Sequence, residues 1–274
     1  MAGLSDIAGQ YIEPMPQGSP APRPTAGQRF GNRLGALRRW RLPRPCEVCG
    51  HWAASGLCGD CTAHFVQRQP LRCPTCALAQ PDALVCGACL HEPPPYTRCV
   101  ALADYGFPWD RLIAQLKFQD QPERARLLAK TLHQAVLRAQ SAGPPGVTPS
   151  PIDCVLPVPL SEARLAERGY NQAWELARRV ATLQGLPAQA HWLQRLRDTP
   201  HQVGLSRAER QRNLLDAMWL TPAGATALAR RAGALVDDVM TTGVTVAAAA
   251  LALRAAGVAS VQVWVLARTA APGA

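Results

Sequence analysis

Lysine is almost missing from this 274-residue chain. Of its 29 basic residues only Lys117 and Lys130 are lysines, and the rest are arginines. Coding bias yields such a surface as readily as selection for a polyanion does. The net charge of +10 therefore favours phosphate-bearing partners without naming one. Long apolar runs are missing too. None reaches the roughly 18–20 residues of a membrane-spanning helix, and the longest Ala/Leu stretch, 246–253, is cut by Arg254. The first residues, Met1 to Asp6, lack a basic segment followed by an apolar one, so no secretory signal is expected. The expectation is a soluble, cytoplasmic chain without a membrane span. With 48% hydrophobic residues, wholesale disorder is excluded.

Residues 1–44 have no sustained hydrophobic period and carry seven arginines between Arg23 and Arg44 against two acids, Asp6 and Glu13. They read as a disordered basic arm. Residues 45–95 form a second unit and hold eight of the ten cysteines. After Pro93-Pro94-Pro95, residues 96–274 alternate between strand and helix patterns, with 96–145 as an extension ahead of the main repeat. Apolar runs at 98–105, 152–158, 192–196, 233–237 and 260–267 read as strands. Helical periods fall between them, as with Leu128, Leu132, Ala135 and Ala139. Continuous apolar strands separated by helices imply a parallel α/β sheet covered on both faces.

The cysteines come as four Cys-x-x-Cys pairs: Cys46/Cys49, Cys58/Cys61, Cys73/Cys76 and Cys86/Cys89. A two-residue gap lets both sulfurs of a pair reach one ion on a tight turn. Two pairs complete the closed thiolate tetrahedron of a structural zinc site. A disulfide framework conflicts with a reducing compartment, and a redox motif does not explain four repeats in fifty residues. The expectation is two structural zinc ions in a double zinc ribbon. Sequential pairing is favoured by the short loops, with a cross-brace as the alternative. Some fifty residues bury too little core alone, so metal binding should supply much of this unit's folding energy. His51, His64 and His91 are surplus to eight thiolates, and Cys99 and Cys154 read as core.

One segment carries ligand chemistry. In Ala234 to Thr245 a buried strand ends in Asp237 and Asp238, followed by the turn Met240-Thr241-Thr242-Gly243 and a helix start at Val244-Thr245. Backbone N–H groups of such a turn and of the helix N-terminus form an anion nest suited to a monoester phosphate. The hydroxyls of Thr241, Thr242 and Thr245 add donors, and the acids stand where ribose hydroxyls would need acceptors. Adjacent acids cannot bracket a scissile bond from opposite sides, which argues against glycosidase chemistry. The alternative is an ordinary strand-to-helix turn with two solvated acids.

These residues resemble the 5-phosphoribosyl-1-diphosphate (PRPP) signature of type I phosphoribosyltransferases, with Val244 in place of a smaller residue. Three further stretches narrow the resemblance to the ComF family, GntX-like proteins included. They are Val155 to Leu160 with Arg164 and Arg168 to Ala173, then Leu196 to Gln202 continuing through Leu205, Arg210, Arg212 and Asn213, then Leu116-Lys117-Phe118. The double zinc ribbon matches that family's N-terminal module. The resemblance spans about residues 45–270. It implies a type I phosphoribosyltransferase-like sheet flanked by helices behind the cysteine module. PRPP with Mg²⁺ would bind at Asp237, Asp238, Thr241, Thr242, Gly243, Val244 and Thr245. Arg164 and Arg168 would serve the diphosphate, and the 197–212 loop would be a mobile lid. The family's role implies DNA uptake in natural competence, with single-stranded DNA and the uptake machinery as partners. A Mg-dependent transferase with a nitrogen acceptor and a regulatory scaffold stay open beside it, and no residue is singled out as catalytic.

Overall fold

The structure, a computed structural model, describes residues 43–118, 124–142, 151–195 and 218–270. The basic arm therefore lies outside the described residues except for Pro43 and Arg44. The 197–212 loop lies outside them entirely.

Two short strands, β1 (Arg44–Pro45) and β2 (Trp52–Ala53), and two short helices, α1 (Gly59–Thr62) and α2 (Gly87–His91), frame the cysteine region. Then come β3 (Arg98–Asp104), α3 (Trp109–Phe118), α4 (Arg124–Ser141), β4 (Cys154–Pro157), α5 (Glu162–Arg168) and α6 (Gln172–Gln184). The chain continues through β5 (Leu193–Arg195), β6 (Met218–Leu220), α7 (Pro222–Leu228), β7 (Ala232–Met240), α8 (Val244–Ala255) and β8 (Ser260–Arg268). The main sheet has the order β3-β8-β7-β4, and every neighbouring pair is parallel, as the apolar runs implied. The 192–196 run does not join it. Leu193–Arg195 pairs antiparallel with Met218–Leu220 in a separate ribbon.

Because strand side chains alternate, each strand feeds two cores. Leu102, Val155, Val236, Trp264 and Leu266 pack on one face under α4 and α6, which contribute Leu128, Leu132, Leu176 and Val180. Ala101, Leu156, Leu235, Val263 and Val265 pack on the other under α8, which contributes Val246, Ala249 and Leu253. Both faces are thus apolar, and β7 and β8 carry the continuous apolar stretches 232–236 and 263–267.

The cysteine region shares these cores. Cys46, Leu57, Cys61 and Val66 join the first core, while Ala77 joins the second beside Tyr96, which follows the region. An ion pair between Arg124 Nη1 and Glu47 Oε2 at 2.7 Å adds a polar tie to α4. Among the described residues no helix is long and apolar enough to cross a membrane.

The connections out of β4 and β7 fix where a ligand can enter. From β4 the chain passes to α6 on the first face, and from β7 it passes to α8 on the second. Adjacent parallel strands whose following helices go to opposite faces leave a crevice beyond their carboxyl ends. Open α/β sheets bind ligands at that switch point.

Candidate functional site

The acid pair stands at this crevice. The apolar run of the sequence ends at Asp237, whereas β7 runs on to Met240, because β8 continues beside it with Val239 opposite Ala267 and Met240 opposite Arg268. On the other side β4 stops, its last pairing being Pro157 with Val236. Asp237 and Asp238 therefore emerge where β7 has lost one neighbour and kept the other.

Each acid spends one oxygen on the backbone. Asp238 N–H donates to Asp237 Oδ1 at 2.8 Å, and Val239 N–H donates to Asp238 Oδ1 at 2.6 Å. Asp238 is buried, 4% exposed, and its Oδ2 faces Lys117 Nζ at 3.2 Å. Asp237 is half-buried. Its carboxyl is pushed well above the usual carboxylate range, first by burial and then by the charge of Asp238. The Asp238 N–H, Lys117 and Arg168 pull the other way. Lys117 thus belongs to the site, although in the sequence it stands out only as part of a short motif, Leu116-Lys117-Phe118. The Tyr170 hydroxyl donates to the carbonyl of Leu116, the residue before it.

Local chemistry sets the frame around the pair. Ser161 caps α5 by accepting from Arg164 N–H at 3.4 Å, and Gly169, at φ 73°, ends that helix after two turns. Asn171 Oδ1 caps α6 through Ala173 N–H at 2.8 Å, while its Nδ2 donates to Val158 O at 3.1 Å. That bond fixes α6 to the carboxyl end of β4. Arg168 is half-buried and near enough to act on Asp237. Arg164, one turn earlier, is exposed on the same short helix.

The turn after β7 has free donors. Gly243, at φ 82°, is the N-cap of α8 and offers no side chain, so the first N–H groups of that helix lack a capping acceptor. Among the described residues no carbonyl accepts from the N–H of Thr241, Thr242 or Gly243. Thr241, Thr242 and Val244 are exposed, and Gly243 and Thr245 are half-buried. A Cβ at Gly243 would lie 2.9 Å from Met240 Cε, the end of a flexible side chain that can move aside, so glycine is needed here for its φ. The structure thus brings together Asp237, Asp238, Lys117, Arg168 and a turn of free amides at one strand end.

The cysteines converge as two sequential sets, Cys46/Cys49/Cys58/Cys61 and Cys73/Cys76/Cys86/Cys89, with the sulfurs of each set within 4.8 Å of one another. Cys49 and Cys58 Sγ are 3.6 Å apart, as are Cys76 and Cys86 Sγ. A tetrahedron with bonds of about 2.3 Å has edges of about 3.8 Å, so both sets have room for one metal ion. Knuckle bonds shape them: Gly50 N–H donates to Cys46 O at 3.0 Å, and Cys86 N–H points at Cys73 Sγ at 3.4 Å. Burial, and after it the neighbouring sulfurs, push the Cys61 and Cys89 thiols up, a repulsion that a dication would relieve. His51 Nδ1 lies 3.4 Å from Cys49 Sγ, outside the four-sulfur set. Cys99 and Cys154 are buried core residues.

No family model matches the chain. It is 39% identical over 237 residues to DNA utilization protein YhgH of Salmonella typhi, covering 83% of this chain and 98% of that one. To the YhgH of Escherichia coli K12 it is 36% identical over 235 residues, covering 83% and 98%. To competence protein F of Haemophilus influenzae it is 35% identical over 227 residues, covering 81% and 95%. Among solved structures it is similar to a glutamine PRPP amidotransferase from B. subtilis complexed with ADP and GMP. That match has a TM-score of 0.36 and 16% identity, over 56% of this chain and 30% of that one. An allosteric regulatory enzyme of purine biosynthesis follows at TM-score 0.33 and 18% identity, over 56% and 29%. Likeness at these TM-scores carries no weight for function.

Proposed function

The chain belongs to the ComF family, that of competence protein F and DNA utilization protein YhgH, and on that premise we propose that it is a PRPP-binding protein of DNA uptake. The observation that carries this reading is the pairing of two acids with a turn of free amides at the switch point between β4 and β7. The amides of Thr241, Thr242 and Gly243 and the N-terminus of α8 suit the 5′-phosphate, with the hydroxyls of Thr241, Thr242 and Thr245 beside them. Asp237 offers an acceptor to the ribose hydroxyls. Asp238, held by Lys117, sets the charge behind it.

Arg168 and the exposed Arg164 are the donors for the diphosphate, since guanidinium forks match phosphate oxygens. The raised Asp237 carboxyl fits a ligand that arrives with Mg²⁺, which when bound neutralises the diphosphate. In this reading residues 45–95 hold two structural zinc ions and residues 96–274 hold the ligand. The arginine-rich surface meets single-stranded DNA through its phosphates.

Calorimetric titration with PRPP and Mg²⁺ tests the site. The Asp237→Ala/Asp238→Ala double variant should bind at least about tenfold more weakly, because charged hydrogen bonds are worth roughly 1.5–3 kcal/mol each. Unchanged binding defeats the assignment. Diphosphate release that depends on one added base would instead favour a transferase. Binding without turnover, with salt-sensitive retention of single-stranded DNA, supports the proposal.

A further inference from the structure

Arg268, the last residue of β8, is only 6% exposed, and no carboxylate pairs with it among the described residues. Its guanidinium reaches two separate segments and the carbonyl of its own chain neighbour. Nε donates to Cys76 O at 3.1 Å, in the second cysteine set. Nη1 donates to Met240 O at 3.0 Å, to Thr241 O, and to Thr269 O at 3.2 Å. A buried cation needs an opposing charge as well as acceptors. The neutral carbonyls around Arg268 supply only dipoles.

The first consequence is geometric. A trans peptide is planar, with its C=O and the following N–H pointing in opposite directions. Holding the carbonyls of Met240 and Thr241 toward Arg268 therefore turns the N–H groups of Thr241 and Thr242 away from it. These are two of the free donors of the turn. Thr269 N–H also donates to Met240 O at 3.1 Å, which locks the first of these planes from the same side.

The second consequence is electrostatic. Four thiolates on one dication carry a net charge of −2. Cys76, whose carbonyl Arg268 grips, belongs to such a set, and Tyr96 and Cys99 feel both Arg268 and its cysteines. Further contacts seat this set under the turn. Cys99 N–H donates to Pro74 O at 3.2 Å, and the Tyr96 hydroxyl lies 3.9 Å from the Cβ position of Gly243. The first cysteine set has no such link among the described residues.

We propose that Arg268 is the positioning residue of the anion turn and that the second cysteine set, once metal-bound, is its counter-charge, so that metal at that set and a phosphate at the turn strengthen each other's binding. This rests on the reading of the turn as a phosphate site and names how that site is regulated. The coupling is reciprocal by linkage.

The test uses the full chain loaded with zinc, and ribose 5-phosphate as the probe. Zinc affinity is measured by competition with a chelator, with and without saturating ribose 5-phosphate, and probe affinity is measured by calorimetry. In the wild type, one of the two zinc equivalents should bind about five- to tenfold more tightly when the probe is present. Arg268→Gln should keep both zinc ions, weaken the probe about tenfold or more and abolish the zinc response. Arg268→Lys, which keeps the charge and loses the fork, should fall between. A wild type that binds the probe with no change in zinc affinity overturns this inference alone. So does an Arg268→Gln variant that binds the probe like the wild type. A wild type that binds no ribose 5-phosphate overturns the reading of the turn, and this inference with it. Should Arg268→Gln fail to fold, the wild-type zinc competition decides by itself.

Discussion

Replacing Asp237 with asparagine should make the protein more stable and a poorer binder at once. The wild-type carboxyl is raised by burial and by Asp238, so the folded chain holds its proton more tightly than the unfolded chain does. Below the ordinary carboxylate value of about 3.9 both states are protonated, and the group costs nothing. As pH rises from there toward the raised folded value, the unfolded chain ionises first and stability falls. Asparagine has nearly the same shape, can still accept from Asp238 N–H and carries no charge. The penalty is therefore gone.

Each unit of difference in pKa is worth about 1.4 kcal/mol, but Asp237 is only half-buried and solvent screens part of the cost. A gain on the order of 1–2 kcal/mol at pH 8 is expected, or roughly 2–8 °C in Tm. The gain should fade toward pH 4. Ligand affinity moves the other way, because a neutral amide loses charged hydrogen bonds to the ribose worth roughly 1.5–3 kcal/mol. Thermal melts from pH 4 to 8, paired with PRPP titration, read both effects. An asparagine variant that is no more stable than the wild type at pH 8, or one that binds PRPP as well, would refute the reasoning.

Three other substitutions or conditions probe separate parts of the account. Lys117→Ala leaves the buried Asp238 facing no ammonium, and should cost about 1–2 kcal/mol by denaturant melt, since the lysine is partly solvated; no loss would mean that the pair is not formed. Gly243→Ala must place a side chain at a φ of +82°, so a loss of about 1–3 kcal/mol is expected, and a neutral substitution would contradict the turn geometry. Metal analysis should return two zinc ions per chain. The apparent zinc affinity should climb with pH, because the Cys61 and Cys89 thiols are raised and must give up protons to bind; a pH-independent affinity would rule out tetrathiolate ligation.

Spacing made the cysteine sets legible. A pair two residues apart has little choice but to share a knuckle, and sequential grouping follows from short loops. The strand, turn and helix from Ala232 to Ala255 were legible for a similar reason, since a run of apolar residues, a glycine and a helical period lie in order. The extent of β7 was not. Asp237 and Asp238 read as strand breakers, and only the ladder with β8 carries the chain on to Met240.

Long-range partners escaped altogether. Lys117 and Asp238 are 121 positions apart, and nothing local in either segment announces their ion pair. Arg268 looks like a surface arginine after an apolar strand. Its burial is dictated by the Cys76 knuckle, 192 positions upstream. The sharing of both cores by the cysteine region was hidden likewise, because Leu57, Val66 and Ala77 show no period of their own.

Backbone amide resonances of the ¹⁵N-labelled protein, followed as ribose 5-phosphate is added, test the central claim most directly. Thr241, Thr242, Gly243 and Val244 should move first and furthest, saturating together, because among the described residues no acceptor meets their N–H groups. Amides that stay still at this turn while others shift, or that do not respond at all, would contradict it.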